Sequence, residues 1–205
     1  MRISFFILSC AFTLCTPLLS TGQLTLNINQ FRPTGELGKG LENKIGFGAA
    51  WVQPFEDVWR SSIGLSFFKF DTRMDVFPVV GTISSGGNTF VSLGEQRFEK
   101  YNLIALDFMA DYAIVERDQF ILFGGLGIFL GATSVAYTAE YPEIKSESYS
   151  GGDRWFGLAG RVGVELPIGD TFAVRASADR KYFVITENGY YSANQIQLGF
   201  SYYFN

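Results

Sequence analysis

The chain ends QIQLGFSYYFN, Gln195 to Asn205, and every second residue of that stretch is large and apolar or aromatic: Ile196, Leu198, Phe200, Tyr202 and Phe204. Between them stand Gln195, Gln197, Gly199, Ser201 and Tyr203, which are polar, small or hydroxylated. A period of two belongs to a β-strand whose faces meet different surroundings, because successive side chains point to opposite sides. The same pattern recurs at roughly 24–31, 43–53, 58–72, 98–115, 119–137, 154–166 and 171–185, so with 194–204 the chain reads as eight two-faced strands. Which face meets water decides what such a sheet is for.

The connections alternate in length. QPFEDVW (Gln53 to Trp59), VERDQF (Val115 to Phe120) and LPIGDTF (Leu166 to Phe172) are short turns. Arg32 to Asn43, Arg73 to Arg97, Thr138 to Asp153 and about Glu187 to Ala193 are longer, polar or glycine-rich stretches. Short turns on one side and long loops on the other define an antiparallel meander. An even strand number puts both chain ends on the short-turn side.

One face of these strands carries residues such as Leu26, Ile45, Phe47, Ile63, Leu65, Phe67, Phe108, Leu126, Leu158, Val162 and Val174. The other carries Lys44, Gly46, Gly48, Arg60, Ser62, Gly64, Ser66, Asp107, Asp111, Arg161, Gly163, Glu165, Arg175, Ser177, Asp179 and Lys181. In a soluble, lipocalin-like barrel the polar face would lie outside, where repeated Gly and Ser weaken strands without benefit. In an eight-stranded barrel crossing a bilayer it lines a lumen just wide enough for side chains to fill, and there small residues interleaved with a few charges fit. The expected fold is therefore all-β: an eight-stranded antiparallel up-and-down transmembrane β-barrel preceded by a cleavable signal peptide. Aromatics support it, with Trp51, Trp59, Tyr112, Phe120, Phe172, Tyr202 and Phe204 at the short-turn end and Phe67, Phe156 and Tyr182 toward the other.

The competing reading is a membrane helix over Gln119 to Ala139, which carries no charge. Its glycines lower helix propensity, and Asp107, Asp111 and Arg161 in neighbouring segments would be costly among helices in lipid. As a strand it is expected to need a bulge near Gly124–Gly125.

MRISFFILSCAFTLCTPLLSTGQ has one cation at Arg2, an apolar run and small residues near Ser20 and Gly22, the layout of a secretory signal peptide. The expected organisation is a signal peptide at 1–22 and a barrel at 23–205. Cys10 and Cys15, the two cysteines of the sequence, fall inside that leader, so the barrel segment holds no disulfide or thiolate. The net charge is −4 with scattered cations, which gives no footprint for nucleic acid.

The sequence contains no histidine. The remaining acid–base candidate is Asp107 with Asp111 on one strand face, weighed against plain ion pairing with lumen cations. Arg161, Glu165, Arg175 and Asp179 fall on adjacent strands within diagonal reach, with Arg60 and Asp111 at similar depth and Lys44 and Lys181 nearer the long-loop end. Because buried charges are costly unless paired, these residues read as a structural plug of ion pairs. Glu140, Glu143, Glu147 and Asp153 match no calcium-loop spacing. No cofactor or metal is expected.

Signal peptide, eight alternating strands, turn asymmetry and the terminal GFSYYFN together resemble the small outer-membrane β-barrels of the OmpA and OmpX type. The resemblance covers about 23–205. It implies a bacterial outer-membrane location among outer-membrane lipid and lipopolysaccharide, and an alternating aromatic last strand, here Phe200, Tyr202 and Phe204, read by the barrel-assembly machinery. Phe204 is penultimate here, with Asn205 after it. Barrel enzymes of such membranes use a histidine, which this chain lacks, so the expected role is non-enzymatic: structural in the envelope, or surface-binding through the outer loops. A narrow ion channel is the alternative. The strands flanking Arg73 to Arg97 run to about 15–18 residues where about 9–11 cross a bilayer. That loop, with Phe77, Val79, Val80 and Phe90, is the candidate docking surface for an unidentified partner.

Overall fold

The computed structural model describes residues 22–204 apart from 36–37, 39–40, 56–57, 72–75, 86–87, 143–146 and 184–190. Positions 1–21 of the expected leader lie outside the described residues. The alternating segments form β1 (Gly22–Gly35), β2 (Lys44–Pro54), β3 (Trp59–Phe70), β4 (Val76–Ser85), β5 (Asn88–Arg117), β6 (Phe120–Glu140), β7 (Glu147–Gly151), β8 (Arg154–Ile168), β9 (Phe172–Phe183) and β10 (Tyr191–Phe204). The segment that competes as a helix is thus strand β6.

Eight of these strands close a ring in the order β5-β3-β2-β1-β10-β9-β8-β6, with β6 pairing back onto β5. The seam between the chain's two ends is antiparallel and continuous from Gly22 opposite Phe204 to Gly35 opposite Tyr191. Closure pairs the backbone groups of every barrel strand on both sides, which a sheet in lipid requires. The turn between β8 and β9 contains Gly169 at φ +65°, a left-handed conformation that glycine adopts without a Cβ penalty.

The expected loop 73–97 is instead a β-hairpin. β4 pairs with the start of β5 from Val76 opposite Arg97 to Ser85 opposite Asn88. Gly86-Gly87 between them is a sequence signal for a two-residue hairpin, and β-branched residues at Val79, Val80, Thr82, Ile83, Thr89 and Val91 favour pairing. β7 pairs likewise with β6 over Val135 to Ala139, and β5 pairs with β6 as far as Glu95 opposite Glu140. Beyond the ring, therefore, stands a four-stranded sheet, β4-β5-β6-β7.

The expected bulge near Gly124–Gly125 is absent. The register shifts lie on the partner strand, between Ala113 and Val115 and between Phe98 and Lys100. β6 keeps strict alternation because Ile114 takes up the extra residue beside Gly124.

Side-chain parity follows the sequence pattern. Leu126 is 76% exposed on the outer surface, and Leu26, Phe47, Leu158 and Val162 on other strands are bare on the same face. A continuous apolar exterior of this kind would aggregate in water and is the surface expected against lipid.

Candidate functional site

The lumen is filled by side chains in two layers. In the charged layer, Arg161 and Asp179 are directly opposite on β8 and β9, as are Glu165 and Arg175, while Arg60 on β3 is opposite Asp111 on β5. Arg161 donates from Nε and Nη2 to the two Asp179 oxygens at 2.8 and 2.9 Å, the fork geometry that makes Arg–carboxylate pairs strong. The remaining bonds cross the lumen. Arg60 Nη1 donates to Glu165 at 3.1 Å, Arg175 Nη2 to Asp111 at 2.6 Å, and Lys181 Nζ to both oxygens of Asp107 at 2.6 and 2.8 Å.

Four cations and four carboxylates thus neutralise one another among the described residues, which is the condition for burying charge without a large desolvation penalty. Neutral groups add to the layer: Tyr203 OH donates to Glu165 at 2.5 Å and Gln197 Nε2 to Asp179 at 2.8 Å. Arg175 also lies 4.1 Å from the Phe123 ring centroid, and Lys181, wholly buried, 4.5 Å from that of Phe129. The cavity left among Thr25, Asn27, Ser62, Arg161, Arg175 and Gln197 measures about 10 Å³, room for about one water. With both carboxylates of the Asp107/Asp111 pair held by cations, neither is placed as a free acid or base. Lys44 is not part of the layer. It pairs with Asp71 at the rim.

The second layer, above the charges, is apolar. Phe31, Phe68, Phe70, Leu103, Phe129, Trp155 and Phe183 form one buried cluster, with Phe129–Phe183 and Trp155–Phe183 ring centroids 5.1 and 5.2 Å apart. Sequence reasoning missed this layer, since the inward face read as small and charged. The signal was present: Phe68 and Phe70 continue the parity of Arg60, Ser62 and Ser66.

On the protruding sheet, Val80 pairs with Leu93 and Thr82 with Val91, and the exposures of Val80, Val91 and Leu93 are 62, 67 and 72%. Phe77, Val79 and Phe90 take strand positions opposite Gln96, Gly94 and Ile83. The opposite face seats the Tyr141 ring on Gly81 and Gly94. A Cβ at Gly94 would come within 2.4 Å of that ring, so the close approach needs glycine. Among the described residues, no three His, Cys, Asp or Glu side chains gather as a metal site, and Glu143 of the acidic stretch lies outside the described residues.

Residues 21–204 match the family model described as the outer membrane protein β-barrel domain. The chain belongs to that family. It therefore resides in the cell outer membrane. No curated protein matches the sequence. Similar solved structures include the outer membrane protein OprG from Pseudomonas aeruginosa, with TM-score 0.57 at 11% identity over 91% of this chain and 97% of that one. Neisserial surface protein A gives 0.56 at 11% identity over 88% and 96%. Ail, the attachment invasion locus protein of Yersinia pestis, gives 0.53 at 16% identity over 90% and 99%. At these identities the likeness is one of fold.

As an outer-membrane barrel, the protein is oriented by its turns, short ones to the periplasm and the protruding sheet to the exterior. The periplasmic girdle is continuous across the seam: Phe172 lies 5.3 Å from Phe200 and 5.5 Å from Tyr202, Tyr202 4.8 Å from Phe204, and Phe204 5.4 Å from Trp51. Trp59 and Tyr112 extend it at 5.1 Å. The expected assembly residues Phe200, Tyr202 and Phe204 all lie on the lipid face of β10 within this girdle.

Proposed function

We propose that the protein is a non-enzymatic barrel whose lumen is sealed and whose protruding sheet docks a partner outside the cell. One observation carries this reading. β5 runs 30 residues where about 9–11 cross a bilayer, and β4, at the end of the strand order, has no strand partner on its outer edge among the described residues. Such an edge accepts an extended segment by strand addition, and the exposed Val80, Val91 and Leu93 offer it apolar contacts. The name of the Yersinia pestis neighbour, an attachment invasion locus protein, gives the role a precedent on this fold. The absence of histidine and the ion-paired state of Asp107 and Asp111 support the non-enzymatic part. The expected envelope partners, assembly machinery and surrounding lipid, belong to the same proposal.

Removing residues 77–91 should leave a barrel that still shifts on gels between unheated and boiled samples. Cells displaying it should lose attachment to surfaces and to other cells. Attachment equal to that of the intact protein would leave only the envelope-structural role. In planar bilayers the intact protein should give no stable single-channel current, because the charged and aromatic layers leave no continuous bore; a steady conductance altered by Arg161→Gln would favour the channel instead.

A further inference from the structure

In the lumen every described arginine and lysine has a carboxylate partner. Arg32 and Arg180, on the outer surface, have none among the described residues. Arg32 on β1 is opposite Asn194 on β10, which is opposite Arg180 on β9, so the three form one cross-strand row. Their parity is that of the lipid-facing Leu26, Ile196 and Tyr182. Arg180 donates to Asn194 Oδ1 at 2.8 Å, Ser192 Oγ at 2.9 Å and Thr34 Oγ1 at 3.2 Å, and sits 5.2 Å from the Tyr182 ring centroid. Arg32 donates from Nε and Nη2 to Gln30 Oε1 at 3.0 and 2.7 Å. All of these acceptors are neutral. Among the described residues neither guanidinium forms an ion pair.

Height makes this arrangement informative. Arg180 lies eight residues along β9 from Phe172 in the periplasmic girdle, about 20 Å up for a strand tilted by roughly 40°. The apolar band of such barrels is about 25 Å tall. Both arginines therefore reach the outer-leaflet boundary, where long stems snorkel and charge on the lipid face calls for a counter-ion.

Beside and below the row runs an open groove of about 590 Å³. Gly160, opposite Arg180, and Ala178 form its floor, and Leu126, Val162 and Ile196 its apolar walls. A Cβ on Gly160 would meet only Leu126 Cδ2, at 3.7 Å, so the glycine is not demanded by packing and leaves a depression toward lipid. Two guanidinium groups held by neutral acceptors and without a counter-ion, above an apolar trough, match a phosphate above an acyl chain, since phosphate oxygens outcompete neutral acceptors for such a fork.

We propose that this row is a binding site for a phosphate-bearing, acylated lipid of the outer leaflet, with the phosphate held by Arg180 and Arg32 and one acyl chain laid over Gly160 and Ala178. The site rests on the outer-membrane placement and is independent of the docking sheet, so deleting residues 77–91 leaves it intact.

Native mass spectrometry of the detergent-folded protein tests it, with diphosphoryl lipid A, phosphatidylcholine and inorganic phosphate as probes. The intact protein should retain lipid A about tenfold more strongly than phosphatidylcholine, and Arg32→Gln with Arg180→Gln should lower that retention about tenfold or more. Arg180→Lys, which keeps the charge, should bind more strongly than Arg180→Gln, and Gly160→Leu, which fills the trough, should weaken binding with both arginines in place. Equal retention of the two lipids, or a double variant that binds like the intact protein, would overturn the site. Displacement of lipid A by millimolar inorganic phosphate would overturn it in favour of a free-phosphate site. Should the double variant fail to give the heat-dependent gel shift, Gly160→Leu and the comparison of lipids on the intact protein decide.

Discussion

Asp111→Leu is expected to lower the unfolding free energy by about 3–5 kcal/mol, the cost of leaving a buried charge without its partner. Asp111 Oδ2 accepts from Arg175 at 2.6 Å and lies 3.8 Å from Arg161. Without it, Arg175 retains only a 3.7 Å approach to Glu165, whose other oxygen already serves Arg60 and Tyr203. Urea titration of the protein folded into phospholipid vesicles, followed by the fluorescence of its three tryptophans, measures the loss. The double variant Asp111→Leu with Arg175→Leu should recover most of it, because removing both ends of a buried pair is often neutral. The rim pair Lys44–Asp71 is the contrast: it is partly exposed, and its loss should cost under about 1 kcal/mol. A cost that small at Asp111 would mean that water screens the lumen and that the plug is open.

The second large effect depends on which solvent meets the outer face. Leu198 is 57% exposed and lies four residues along β10 from Tyr202 in the girdle, close to the middle of the apolar band. Leu198→Arg should therefore cost about 2–4 kcal/mol in vesicles, the depth-dependent price of a cation on a lipid-facing strand. Leu93 is even more exposed, but it stands on the protruding sheet above the bilayer. There the same substitution should stay within about 0.5 kcal/mol, as at an ordinary wet surface. Equal effects at the two positions would break the assignment of lipid and water to the two parts of the outer face.

Most of the barrel was legible because strand parity is local. Once Ile196, Leu198 and Phe200 alternate with Gln195, Gln197 and Gly199, the pleat forces the two sets to opposite faces wherever the strand ends up. The same rule put Arg60, Asp107, Asp111, Arg161, Glu165, Arg175 and Asp179 on one common face, and all of them line the lumen. The long outer extension was legible only in part. The apolar residues of 73–97 marked it as more than a solvated loop, whereas its pairing into β4 and β5 needed the Gly86-Gly87 dipeptide to be weighed as a hairpin signal in the sequence.

Alternation and turn spacing were enough to dictate an eight-stranded meander, its inner and outer faces and the end at which its long connections lie, since each depends on residues near one another in the chain. Three features had no such local cause. Arg60 meets Glu165, Lys181 meets Asp107 and Arg175 meets Asp111 across 105, 74 and 64 residues, and those meetings exist only after the ring closes. The extra residue fell on Ile114 rather than in the glycine pair of β6, because a bulge is a property of two strands in register and not of either alone. Phe31, Phe68, Phe129 and Phe183 became one layer because they come from four strands at a single height, and that height is set by the stagger of the closed barrel, which no segment of the chain encodes on its own.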